Sequence, residues 1–145
     1  MEKQKRDMEA ATRGTGVAVT QTADNQLKLD IPSDVSFDTG RAAIKPNFVP
    51  ILNQFAASLN QNPATTVTII GHTDNTGTDA INNPLSVQRA NATRDYLIRD
   101  GVAPQRIATD GRGSTQPIAD NSTQAGRDKN RRVEIYVAEQ VAAAR

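Results

Sequence analysis

The sequence has no cysteine, no tryptophan and one histidine, and its other aromatic residues are two Tyr and three Phe. Without cysteine there is no disulfide framework, thiolate zinc site or cysteine nucleophile, although the compartment stays open. His72 alone does not make a multi-histidine metal site. An excess of one charge is missing too: 17 Lys+Arg stand against 16 Asp+Glu, for a net charge of +1. That balance argues against broad electrostatic capture of nucleic acid or an anionic membrane. No apolar run approaches the roughly 18–20 residues that span a bilayer. The start, Met1-Glu2-Lys3-Gln4-Lys5-Arg6, is followed by Asp7 and Glu9, so no secretory leader is visible. The expectation is a cytosolic protein or the soluble part of something longer. With so few aromatics, the core has to come from Ile, Leu, Val and Ala. At 145 residues the length suits one domain, since single domains usually run about 100–200 residues.

Hydrophobic patterning supplies the elements. Residues 1–13 are charged and rich in helix formers, with Gly14 as a stop, and form a short helix or frayed lead-in with little to bury. Val17 to Thr20 and Leu27 to Ile31 alternate around Ala23-Asp24-Asn25, which predicts a β-hairpin ended by Pro32. Val35-Ser36-Phe37 reads as a further short strand before a tight turn at Asp38-Thr39-Gly40. From Lys45 to Asn60, Phe48, Leu52, Phe55 and Leu59 lie on one helical face, with Pro46 and Pro50 near the first turn. Thr66 to Ile70 is a β-branched strand. Asn83 and Pro84 read as N-cap and first-turn proline of a second helix ending near Gly101, with a buried stripe of Leu85, Ala90, Thr93 and Leu97. A short strand spans Arg106 to Asp110, and a long polar stretch runs from Gly111 to Asn130. The last strand is Arg132 to Val137. Alternating helices and strands predict an α/β fold whose sheet carries its helices on one face. The chain divides into the lead-in (1–13), a single domain (14–137) and a frayed tail (138–145).

Polar loops at strand ends are the places to look for chemistry. Asp74 closes the second strand, Arg89 lies in the following helix, and Arg131 opens the last strand. That spacing brings Asp74 and Arg89 to the edge of one cleft, either as a binding pair or as an internal salt bridge clamping loop to helix. Catalytic readings find less support. Ser86 lacks the Gly-x-Ser-x-Gly elbow, and His72 after a strand reads as a hydrogen-bonded loop residue. Gly111-Arg112-Gly113 lacks the third glycine of a dinucleotide loop. The run Arg127 to Arg132 has an interspersed Asp128 and no neighbouring aromatics, so it reads as a solvated face and not a nucleic-acid patch.

Taken in order, Phe37-Asp38-Thr39, Gly71-His72-Thr73-Asp74-Asn75-Thr76-Gly77, Asn82-x-x-Leu85-Ser86-x-x-Arg89-Ala90, Gly126-Arg127 and Asn130-Arg131-Arg132-Val133-Glu134-Ile135 resemble the OmpA-like C-terminal domain. The match runs from about Val35 to Val137. The resemblance implies a βαβαβ-type two-layer sandwich with a mixed sheet, here preceded by the short hairpin. It also implies a periplasmic domain that binds peptidoglycan non-covalently through the diaminopimelate of its stem peptide. In such a domain the ligand-binding aspartate falls on Asp74 and the arginine on Arg89. Asn82 and Arg131 occupy the family's other side-chain positions, and Thr39 and Gly40 stand where backbone groups are offered. Gly40 replaces an asparagine found in some members. The implied protein is a wall anchor without catalytic residues, metal or cofactor, joined to the outer membrane only through a tether outside this sequence. Within the family, the alternative is the wall-anchoring module of a motor stator or secretion system. A peptidoglycan hydrolase is the alternative from another class, and neither a metal site nor a credible nucleophile supports it.

Overall fold

Alternating apolar residues build the centre of one sheet. In the computed structural model, which describes residues 2–38 and 41–139, β1 (Ala18–Gln21) and β2 (Leu27–Pro32) form the expected hairpin, with Val19 opposite Leu29. Its turn passes through Asn25 at φ 66°, a left-handed conformation that asparagine tolerates better than most residues. β3 (Thr65–Gly71), β4 (Ile107–Gly111) and β5 (Arg132–Glu139) complete a five-stranded sheet in the order β1-β2-β5-β3-β4. Among the described residues β3 and β4 pair in parallel and the other strand pairs are antiparallel, so the sheet is mixed, as expected. Register sets Leu29 and Ile69 on either side of Ile135, and Ile31 beside Val133. All five are buried on one face.

Helices cover that face. α3 (Val49–Gln61) buries Leu52, Phe55 and Leu59, the expected stripe, together with Ile51 and Ala56. α4 (Asp79–Arg99) buries Ala90, Thr93 and Leu97 over β3 and β4. After α4, Gly101 adopts φ 99°. The Val102 N–H returns to the Leu97 carbonyl and the Gly101 N–H to that of Ile98, both at 3.0 Å. This double closure satisfies the last carbonyls of the helix. Gly71 lets β3 and α4 approach closely, because a Cβ there would lie 2.1 Å from the Ser86 carbonyl oxygen. α1 (Glu2–Thr12) packs on α3 and β1 and places Met8 fully in the core. Burying such a side chain stabilises by about 1.5–3 kcal/mol.

Several boundaries differ from expectation. Val35-Ser36-Phe37 is no strand: residues Ser33–Ser36 form a helical turn, α2, in which the Ser36 hydroxyl donates to the Pro32 carbonyl at 2.9 Å. Val35 and Phe37 are nonetheless buried. α3 begins at Val49 and not Lys45, with residues 46–48 forming a turn before it and Pro50 in its first turn. α4 begins at Asp79, four residues before Asn83, so Pro84 sits inside the helix. The Thr78 carbonyl accepts from the N–H groups of Ile81 and Asn82, closing the first turn ahead of the proline. Ser86 takes the buried place expected of Leu85. The polar stretch hides α5 (Gln124–Asn130), capped by the Thr123 hydroxyl accepting from the Gly126 N–H at 3.0 Å. β5 runs on to Glu139, past the expected end at Val137.

Candidate functional site

The site lies where the loop after β3 meets the first turns of α4 and the start of β5. Its frame consists of small polar residues. The Ser86 hydroxyl donates to the Asn83 carbonyl and accepts from the Gly113 N–H. Gly113 in turn accepts from the Thr73 N–H at 2.9 Å. Asn82, buried in the first turn of α4, donates through Nδ2 to the Thr76 carbonyl at 3.0 Å and the Asp74 carbonyl at 3.4 Å. The 74–76 loop is therefore clamped from both sides. Asn82 holds the loop that carries Asp74.

Asp74 is 4% exposed. Its Oδ1 accepts from the Thr76 N–H at 2.8 Å, and its Oδ2 from Arg131 Nη1 at 2.5 Å. Burial works to raise this carboxyl, but the Thr76 N–H and Arg131 outweigh it and hold the group below its ordinary range. Arg131 also pairs through Nη2 with Asp128, three residues earlier on α5.

Arg89 lies deeper than the cleft-edge place its spacing suggests. It is 2% exposed and among the largest fully buried side chains. Asp74 is not its partner: Nε donates to the Arg41 carbonyl at 2.9 Å and Nη2 to the Asp38 carbonyl at 3.0 Å. The guanidinium carbon lies 5.5 Å from the centre of the Phe37 ring. No Asp or Glu among the described residues forms an ion pair with Arg89. Burial, then the charge of Arg131, pushes this guanidinium down to about 10, with Asp74 acting the other way. It stays protonated at neutral pH. Guanidinium geometry leaves the Nη1–Nη2 edge for a second, two-pronged contact.

The structure thus brings Asp74, Arg89, Asn82 and Arg131 together. Thr39 and Gly40 lie outside the described residues, and the turn's flanking residues, Asp38 and Arg41, are the ones whose carbonyls grip Arg89. Sequence reasoning missed those two carbonyls and Asp128. The i,i+3 spacing of Asp128 and Arg131 was the available signal.

A second, largely buried charged cluster sits on the sheet face away from the helices. Glu134 accepts from His72 Nε2 at 3.1 Å, Arg132 Nε at 2.9 Å and the Tyr136 hydroxyl at 3.2 Å, with Lys28 Nζ 3.7 Å away. Burial tends to raise this carboxyl, yet His72 and Arg132 hold it down to about 2. His72 is the hydrogen-bonded loop residue expected, and it and the Ser86 hydroxyl serve different partners. Among the described residues no group of three or more His, Asp or Glu side chains is disposed to hold a metal. No described helix is long and apolar enough to cross a membrane.

A family model for the OmpA family matches residues 36–131. The chain belongs to the OmpA family. It is 44% identical over 135 residues to a protein of Escherichia coli (strain K12) named "Probable lipoprotein YiaD", covering 93% of this chain and 61% of that one. It is 52% identical over 103 residues to "Peptidoglycan-binding protein ArfA" of Mycobacterium tuberculosis (strain ATCC 25618 / H37Rv), covering 71% of this chain and 32% of that one. The chain therefore spans only part of these relatives. Among solved structures, the OmpA-family fold seen here superposes on the cell wall anchor of the T6SS from Pseudomonas aeruginosa with a TM-score of 0.82 at 31% identity, covering 94% of this chain and 97% of that one. The periplasmic domain of Helicobacter pylori MotB gives 0.78 at 29% identity, over 89% and 83% of the two chains.

Proposed function

We propose that this OmpA-family domain binds peptidoglycan non-covalently through the diaminopimelate of its stem peptide and so anchors the outer membrane or an envelope assembly to the cell wall. The observation that carries the reading is Arg89, a buried cation with one edge held by backbone carbonyls and no carboxylate paired with it among the described residues. A buried charge without a counter-charge is costly. The free edge suits a ligand carboxylate.

The far end of diaminopimelate carries an ammonium and a carboxylate on one carbon. Asp74, kept ionised by Thr76 and Arg131, accepts from the ammonium. Arg89 takes the carboxylate by a two-pronged bond that lysine does not reproduce. Asn82 fixes the loop that carries Asp74, Arg131 sits beside the pair, and Thr39 and Gly40 offer backbone groups to the ligand. The function is binding without cleavage, and the place is the periplasm, at a tether to the outer membrane. The names of two similar proteins, a peptidoglycan-binding protein and a cell wall anchor, support this reading.

The test is co-sedimentation with purified sacculi, read together with turbidity. The protein should pellet with the wall, leave turbidity unchanged and release no muropeptides. Failure to pellet removes the binding reading, and metal-independent release of muropeptides removes the anchor reading.

A further inference from the structure

The place where a ligand ammonium would meet Asp74 is already held by a cation of the protein. Arg131 Nη1 lies 2.5 Å from Asp74 Oδ2, and the Thr76 N–H occupies Oδ1. An incoming ammonium therefore has to share Asp74 with Arg131 or displace it. A simple amine has nothing to offer in return, since it adds a positive charge beside Arg131 and Arg89 and leaves both guanidiniums without a new anion. An ammonium that arrives with its own carboxylate supplies one.

We infer that Arg131 is a specificity-determining residue: it holds Asp74 until a ligand bearing both an ammonium and a carboxylate on one carbon exchanges with it, and it thereby excludes stem peptides with lysine in place of diaminopimelate. This inference rests on the binding reading above and extends it. Selectivity of this kind comes from a penalty on the wrong ligand as well as from contacts to the right one.

The surroundings of Arg131 fit a group that exchanges partners. It follows α5 directly, at the junction with β5, and its side chain keeps 11% exposure. Its second anchor, Asp128, is half exposed. Its Nε is buried with no hydrogen-bond partner among the described residues, so its present arrangement leaves a donor unsatisfied. Arg131 and Arg89 carry like charge, and Arg131 adds to burial in lowering the basicity of Arg89. A ligand carboxylate offsets that like charge. Its neighbour Arg132 differs in each respect: it is 3% exposed, and Nε, Nη1 and Nη2 all donate within the protein.

The test is calorimetric titration with two synthetic tripeptides, one ending in meso-diaminopimelate and one in lysine. Wild type should prefer the first by roughly tenfold or more, a margin that one charge-assisted contact supplies. Arg131→Gln should bring the two affinities within about threefold of each other, chiefly by gaining affinity for the lysine peptide. An unchanged preference, or an equal loss for both peptides, overturns the inference. A second arm uses wild type alone, so that it does not depend on a variant folding. Acetate, against chloride at equal ionic strength, should strengthen lysine-peptide binding by giving the guanidiniums an anion in trans. No gain with acetate contradicts the exchange. Wild type that binds neither peptide refutes the underlying binding reading, whereas wild type that binds both equally leaves wall binding standing and removes the selectivity ascribed to Arg131 and to the Arg89 carboxylate contact.

Discussion

Arg131 and Arg132 are neighbours in sequence and belong to two differently built charge clusters. Arg132 joins Glu134, His72, Tyr136 and Lys28 on the sheet face away from the helices, where Glu134 gathers donors from β2, β5 and the end of β3 beside a second carboxylate, Asp30. Arg131 joins Asp74 and Asp128, and Arg89 lies near enough to feel both charges of the Asp74–Arg131 pair while backbone carbonyls hold it. The first cluster spends its charges on itself. The second keeps a cation in reserve. A carboxylate ringed by donors stabilises a fold, whereas a buried cation with a free edge suits a ligand anion, as proposed above. The two clusters should therefore separate cleanly when stability and wall binding are measured on the same variants.

Arg89→Ala should have the largest effect, because it removes both at once. Two partly buried carbonyls lose their charged donor, costing about 2–3 kcal/mol in stability. Loss of the ligand carboxylate contact should weaken peptide binding by roughly tenfold to a hundredfold. Arg89→Lys should recover part of the melting temperature and little of the affinity, since the charge returns without the planar fork. Equal recovery of both would mean that charge alone suffices.

Glu134→Gln should lower stability by about 2–3 kcal/mol, the cost of removing one partner from buried charged hydrogen bonds, and leave peptide affinity unchanged. The pH dependence gives a further check. The ordinary value for this carboxyl is 4.5, and in the fold it is held down to about 2. Its contribution is complete above the ordinary value and disappears as pH falls through that window. Melting temperature should therefore drop more steeply with acidification in wild type than in Glu134→Gln. A weakened affinity in this variant would erase the distinction between the two clusters.

Much of the fold is legible in the sequence. The α3 stripe is legible because Phe48, Leu52, Phe55 and Leu59 keep helical spacing, and β2, β3 and β5 because their apolar residues alternate or run together. Proline and polar composition hid the rest. Pro84 reads as a helix start, yet Thr78 and Asp79 begin α4 earlier, and the helix carries the proline inside it. α5 is short and polar and has only a threonine cap to announce it. At the site, the residues Asp74, Arg89, Asn82 and Arg131 were legible from motifs, and their partners were not. Asp74 meets Arg131 across 57 positions, and the grip of the Asp38 and Arg41 carbonyls on Arg89 depends on backbone placement that no side-chain pattern encodes.

Smaller effects sharpen the comparison. Asp74→Asn should weaken peptide binding by roughly tenfold and cost about 1 kcal/mol in stability, since the loop keeps its Asn82 clamp. Deleting residues 1–12 removes Met8 from the core and should cost about 1.5–3 kcal/mol. Sacculus binding at a temperature where the shortened chain is folded should be unchanged. Lost binding with the fold retained would place α1 in the recognition surface.

The central claim is that Arg89 waits for a carboxylate that only the ligand brings. The most direct measurement compares, by calorimetry on wild-type protein, a diaminopimelate-containing stem peptide with the same peptide amidated at the far carboxylate. The account predicts that amidation alone weakens binding by roughly tenfold or more, because it removes the charged partner of the free Arg89 edge. Equal affinities for the two peptides would contradict it.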